Sequence, residues 1–249
     1  MASNRDAMIV AASRLLSDGE RVLVGVGVPN IAANLAKRLH APDLVLVYES
    51  GVIDARPKSL PLSIGDGTLV EEALMVIPMS ELFRHYLGTG WIDVGFLGAA
   101  QIDAWGNLNS TVIGPYSKPA VRLAGSGGAA EIATQARRTI IVMEHSRDRF
   151  VNAVDFITSP GHPDGQRRGD GRGPWRVVSS LAVFGFGENG RMGVLGLLPG
   201  HTYEEVLDSS GWVIPPLVDP LPVLAPPSPE ESTTLEALYQ TLKKGGDAQ

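Results

Sequence analysis

Two spacings of apolar residues alternate along the first fifty positions, and the switch between them lays out the architecture. Met8, Ile9, Ala12, Leu15 and Leu16 recur at helical intervals behind Ser3, a good N-cap, and Gly19 suits the stop. The short run Arg21-Val22-Leu23-Val24 then reads as a strand that breaks at Gly25-Val26-Gly27-Val28-Pro29. Ile31, Leu35, Ala36 and Leu39 restore helical spacing over 30–39, and Leu44-Val45-Leu46-Val47-Tyr48 is a second apolar run of strand length. Helix, strand, turn, helix, strand is the order expected of an α/β protein whose parallel strands carry helices on both faces.

Further strands are expected at 91–97, 139–144, 175–186 and 193–198, and a helix at 129–136. Asn189-Gly190 between two apolar runs is a hairpin signal, so the later strands include antiparallel ones. The expectation is an open, mostly parallel sheet with helices on both faces and some antiparallel strands toward the C-terminus. The glycine- and arginine-rich stretch Gln166 to Arg176 reads as a surface loop, and the proline-rich segment 214–229 as extended chain. Ser228-Pro229-Glu230-Glu231 opens a last helix, 229–244, with a capping box. Its stripe Leu235, Leu238 and Leu242 needs a surface to pack on, in this chain or in a partner.

Composition narrows the class. With 249 residues, 44% of them hydrophobic and 19% charged, the chain has the material for one full core, so residues 1–249 are expected to form a single domain. The absence of cysteine excludes a disulfide framework, a thiolate zinc site and a cysteine nucleophile, and it suits a cytoplasmic location. Neither a signal-peptide core nor a run near the ~18 apolar residues of a membrane span is visible, so no membrane association is expected. A net charge of −6 argues against a nucleic-acid footprint and leaves room only for a local basic pocket. The five histidines, His40, His85, His145, His162 and His201, lack ligand spacing, so no metal is expected.

Four places carry candidate chemistry. Glu49 follows the run 44–48 directly and precedes Ser50-Gly51; an acid at such a strand end is either a solvated terminus or a nucleophile at a ligand crevice. Gly25-x-Gly27 resembles half of a dinucleotide turn, but Asn30 stands where the third glycine belongs. It reads as a packing turn or as a turn touching a bound acyl group. Ala124-Gly125-Ser126-Gly127-Gly128 lacks the first glycine of a nucleophile elbow and no orienting acid accompanies the later histidines, so it reads better as a nest of backbone amides facing an oxyanion. The turn-forming stretch 103–111 suggests a hairpin or loop, in which the Asn109 amide could instead donate to developing negative charge.

Taken in order, Gly25-Val26-Gly27-Val28-Pro29, Ala41-Pro42-Asp43, Glu49-Ser50-Gly51, Gly106-Asn107-Leu108-Asn109-Ser110-Thr111 and Gly125-Ser126-Gly127-Gly128-Ala129 closely resemble the β subunit of family I CoA-transferases, nearest to the glutaconate CoA-transferase type. The likeness runs from the first helix to about His162 and fades in the C-terminal third. It implies that Glu49 is a nucleophile carrying a glutamyl-CoA thioester in a ping-pong exchange between an acyl-CoA and a carboxylic acid, dicarboxylic or oxo in kind. It also implies that Gly25, Val26, Gly27, Ser50 and Gly51 line the pocket, and that Asn109, Gly127 and Gly128 lie near the oxyanion. Coenzyme A would be a co-substrate with no permanently bound cofactor, and an α subunit would complete a hetero-oligomer. Arg56, Lys58, Arg147 and Arg149 are candidates for a second carboxylate or for CoA phosphates. Relatives on the same scaffold do other chemistry: a decarboxylase of 3-methylglutaconyl-CoA type has cysteine in place of the glutamate, and a steroid-ring hydrolase lacks the Glu-Ser-Gly motif. A non-catalytic scaffolding subunit is the remaining alternative.

Overall fold

Side chains alternate in direction along each central strand, and here both directions are apolar, which commits the strands to a sheet buried on both sides. The computed structural model describes residues 3–162 and 172–246. Its elements begin with helix α1 (Asn4–Ser13), strand β1 (Arg21–Val24), helix α2 (Val28–Leu39) and strands β2 (Val45–Tyr48), β3 (Val52–Ile53) and β4 (Met75–Val76). Helix α3 (Met79–Glu81) runs into a π-helical turn at Leu82–Leu87. Strands β5 (Val94–Leu97), β6 (Gln101–Ile102), β7 (Leu108–Asn109), β8 (Val112–Ile113) and β9 (Val121–Arg122) lead to helix α4 (Ala129–Gln135) and strand β10 (Arg138–Met143). Strands β11 (Pro174–Ser179), β12 (Ala182–Phe186) and β13 (Met192–Leu197) and helices α5 (Tyr203–Asp208) and α6 (Pro229–Gly246) complete the order.

Nine strands make the main sheet, in the order β13-β12-β11-β10-β5-β1-β2-β3-β4. The five from β11 to β2 are parallel, and antiparallel pairs finish both edges. The edge beyond β2 was not expected, because β3 and β4 are two residues long and too short to show a period. Val22, Val24, Leu46, Tyr48, Ile140 and Val142 face α1, α2 and α6, while Leu23, Val47, Ile141 and Met143 face the π-helical turn, α4 and α5. Helices therefore cover both faces. None among the described residues is long and apolar enough to cross a membrane.

The expected strand 175–186 is two antiparallel strands. The Ser179 hydroxyl accepts from the amides of Leu181 and Ala182, each at 3.1 Å, and this side-chain turn reverses the chain where no glycine or proline signals it. Of the expected loop Gln166 to Arg176, positions 166–171 lie outside the described residues, and Pro174, Trp175 and Arg176 belong to β11. The proline-rich segment, expected to run extended, bends at 217–220 and covers the β13 edge: Leu217 donates to the Val194 carbonyl and Leu224 to that of Leu197, both at 2.8 Å. Ser228 caps α6, whose Leu235 and Leu238 bury in this chain's own core with α1 and α2; the Leu242 side chain lies outside the described residues. Arg14 holds the junction through Glu231 and the Ala225 carbonyl.

Candidate active site

Because β1, β2, β5, β10 and β11 run parallel, their C-terminal ends share one rim. Strand order reverses at β1, with β2 on one side and β5 on the other, and such a reversal opens a crevice beyond the strand ends. The loop Gly25–Gly27 lies at that point. Gly27 has φ 83° and caps α2, a conformation open to glycine and strained for other residues. Beside it, β2 ends in a turn closed by the Gly51 amide on the Tyr48 carbonyl at 2.9 Å, with Glu49 and Ser50 at its two central positions. Gly51 is required there: its φ is 95°, its carbonyl accepts from Ile77 at 2.9 Å, and a Cβ would collide with the Ile77 carbonyl.

Tyr48 anchors this turn from below. Its ring is fully buried, and its hydroxyl donates to Asn30 Oδ1 at 2.6 Å, while Asn34 Nδ2 donates to the same oxygen at 2.8 Å. Burial pushes the Tyr48 phenol up to about 12, so it remains a protonated donor at neutral pH. The end of β2 is thus tied to the first turns of α2. Asn30, which breaks the dinucleotide pattern, is the acceptor that makes the tie.

Glu49 is half-buried, and burial raises its carboxyl above the ordinary range; no hydrogen-bond or ion-pair partner among the described residues offsets that. A carboxylate so placed holds its electrons less tightly than a hydrated one and is the better nucleophile. One oxygen, Oε2, lies 3.4 Å from where a Cβ on Gly128 would be, and the Phe83 ring of the π-helical turn closes on the same spot. Gly128 therefore brings the backbone before α4 close to the carboxylate.

The loop 125–128 is fastened from below by Ser110, whose hydroxyl donates to the Gly125 carbonyl and whose carbonyl accepts the Gly125 amide, both at 2.9 Å. Gly125 and Gly127 take φ of 95° and 49°. The amides of Gly127 and Gly128 have no acceptor among the described residues. At Gly25, Gly27, Gly125 and Gly127 an added Cβ would meet nothing within 4 Å, so both glycine loops border open space, with Val26 40% exposed between the first pair. Ser126 is exposed.

Asn109 does not do what was expected of it. Its side chain is fully buried, and Nδ2 donates to Gln101 Oε1 at 2.7 Å and to the Val112 carbonyl at 2.6 Å, while Oδ1 accepts from the amides of Thr111 and Val112. Both amide hydrogens are committed, leaving none for an oxyanion. Asn109 instead shapes the corner between β7 and β8 that presents Ser110 to the glycine loop. The stretch 103–111 is the hairpin anticipated, its tip held by Asp103 Oδ1 accepting from Trp105 and Asn107. Arg56 pairs with Asp54 and Lys58 with Glu72; Arg147 and Arg149 are exposed. His145 is a neutral strut: its ring stacks on Phe150 at 3.8 Å and bonds Ser179 and Ser210, and burial lowers it to about 4. No cluster of three or more metal-ligating side chains forms among the described residues. Phe83, Tyr48 and Ser110 were missed as site residues, since a phenylalanine in a helix and a tyrosine in an apolar run both read as core.

The chain is similar in sequence and fold to known proteins. Residues 5–209 match the family model described as Coenzyme A transferase. The chain is 48% identical over 219 residues to the β subunit of 3-oxoadipate CoA-transferase of Pseudomonas knackmussii, covering 85% of this chain and 84% of that one. To the β subunit of glutaconate CoA-transferase of Acidaminococcus fermentans it is 37% identical over 222 residues, covering 84% and 83%. The crystal structure of glutaconate coenzyme A-transferase from the same organism superposes with a TM-score of 0.87 at 34% identity over 94% of each chain. Sequence match and shared fold agree, and the chain belongs to the coenzyme A transferase family.

Proposed function

We propose that this chain is the β subunit of a cytoplasmic acyl-CoA:carboxylate CoA-transferase, with Glu49 as the nucleophile. The observation that carries the reading is the carboxylate itself: half-buried, without a donor or counter-ion among the described residues, and held against the glycine backbone that precedes α4. A carboxylate needs no general base to attack; it needs shelter from water and alignment. Attack by Glu49 on the thioester carbonyl forms a carbon–oxygen bond, and the carbon–sulfur bond breaks to release CoA thiolate and leave a mixed anhydride. The thiolate then attacks the glutamyl carbonyl, expelling the first acid as its carboxylate and leaving a glutamyl-CoA thioester. A second carboxylic acid retraces the two steps in reverse. A thioester is exchanged for a thioester, so no external energy source enters.

The unpaired amides of Gly127 and Gly128 suit the oxyanion that forms on the substrate carbonyl, and the glycine loop 25–27 suits the acyl chain beside it. The names of the relatives, 3-oxoadipate and glutaconate CoA-transferase, favour a dicarboxylic or oxo acid as acceptor. Each of those relatives is named as one subunit of its enzyme, which favours an α subunit that completes the cleft. The test is to incubate the reconstituted pair with acyl-CoA and no acceptor, reduce with borohydride or trap with hydroxylamine, and map the modified peptide by mass spectrometry. Modification at Glu49, absent from Glu49→Gln, is the expected result; modification elsewhere or none defeats the proposal.

A further inference from the structure

Two polar groups without partners belong to consecutive residues in the turn at the end of β2. The Glu49 carboxylate has no donor, and the neighbouring Ser50 hydroxyl is closed to solvent with no hydrogen-bond partner. Buried hydroxyls in native proteins are nearly always satisfied, because leaving one unpaired is destabilising. A serine in a tight turn ordinarily bonds a nearby main-chain group. Here the closing Tyr48 carbonyl accepts from Gly51, and Gly51 is pinned in turn to Ile77, so the turn is fixed with the hydroxyl unused. Alanine would fill the same space without the unpaired oxygen.

We propose that Ser50 is a catalytic hydrogen-bond donor to the Glu49 acyl oxygen, engaged only when that oxygen carries the charge of a tetrahedral adduct. The inference rests on the covalent role proposed for Glu49. When thiolate sulfur adds to the glutamyl carbonyl of the anhydride, the carbonyl electron pair moves onto the Glu49 oxygen. Ser50 donates a hydrogen bond to that oxyanion and keeps its proton. The oxyanion collapses, the bond to the first acyl group breaks, and the acid leaves as carboxylate. In the second half-reaction the incoming carboxylate adds to the glutamyl thioester, charge builds on the same oxygen, and collapse expels thiolate. The Gly127 and Gly128 amides serve the substrate carbonyl, and Ser50 serves the enzyme's own. Ser50 makes no bond to the resting carboxylate, so its contribution is confined to the transition state and adjacent adducts, where it raises turnover.

The test uses Ser50→Ala and Ser50→Cys in the complex of the full chain with its α subunit; cysteine keeps the size but donates weakly. Expected for both is a fall in kcat on the order of a hundredfold, with KM for acyl-CoA within about twofold. Ser50→Ala should also melt at or above the wild-type temperature, because an unpaired polar atom has been removed. A kcat within about threefold of wild type, or a lower melting temperature accompanying the loss of rate, would overturn the assignment; the second result would make the hydroxyl structural. Trapping on wild-type protein in the same series separates the two readings. A Glu49 adduct in wild type with unimpaired Ser50→Ala removes only the serine, whereas no adduct in wild type removes both.

Discussion

Replacing Gly128 by alanine tests the contact that defines the candidate site. The backbone at this position, φ −85° and ψ 6°, accepts any L-residue, so the effect is one of space alone. An ideal Cβ would lie 2.6 Å from Phe83 Cε1 and closer still to Cζ, with Glu49 Oε2 at 3.4 Å. Carbon atoms rest about 3.5–4.0 Å apart, so the ring must retreat by about 1 Å or push the carboxylate and the loop apart. Overpacking of this kind costs about 1–3 kcal/mol. A misplacement of about 1 Å at reacting atoms costs on the order of a hundredfold in rate. Gly128→Ala should therefore remain folded with a modestly lower melting temperature, while CoA transfer by the reconstituted pair drops far more than that stability loss explains. Transfer within about threefold of wild type, alongside the expected thermal shift, would show that Gly128 and Glu49 do not bound a reacting centre.

Two further predictions concern pH. Burial raises the Glu49 carboxyl above its ordinary value near 4.5, so holding it ionised destabilises the fold. Glu49→Gln should gain nothing over wild type below that value, where the acid is neutral in both states. Its advantage in melting temperature should grow as pH rises through the folded-state titration and level off above it; a variant no more stable than wild type from pH 4 to 8 would contradict the burial argument. His145 shows the opposite charge and the opposite slope. Burial lowers it from 6.5 to about 4, so the unfolded chain binds a proton the folded one refuses, and up to about 3 kcal/mol of stability is lost as pH falls through that window. Urea midpoints of wild type should fall between pH 7 and 4.5 more steeply than those of His145→Gln; parallel slopes would refute the role.

Local periodicity and turn chemistry were enough to establish the α/β order, the parallel centre, the hairpin at Asn189-Gly190 and the capping box of α6, because each depends on residues within a few positions of one another. The motif order also placed Glu49 at a strand end and marked the two glycine loops. Tertiary structure alone decided the rest. Strands of two residues, such as β3 and β4, carry no period; they exist because β2 offers them an edge. The split at Ser179 came from one hydroxyl choosing two amides, a preference that an apolar run conceals. Asn109 has the composition of an oxyanion donor, yet Gln101 and Val112, brought to it by the β6–β7 hairpin and the turn beyond, take both of its hydrogens. Phe83 meets Gly128 across 45 positions because α4 and the π-helical turn pack on the same face of the sheet. Sequence determines which groups are available for chemistry, whereas folding determines which of them still have an unshared proton or electron pair, since most buried polar atoms are taken up by whatever neighbour the packing supplies and only a few, such as the Ser50 hydroxyl, are left over.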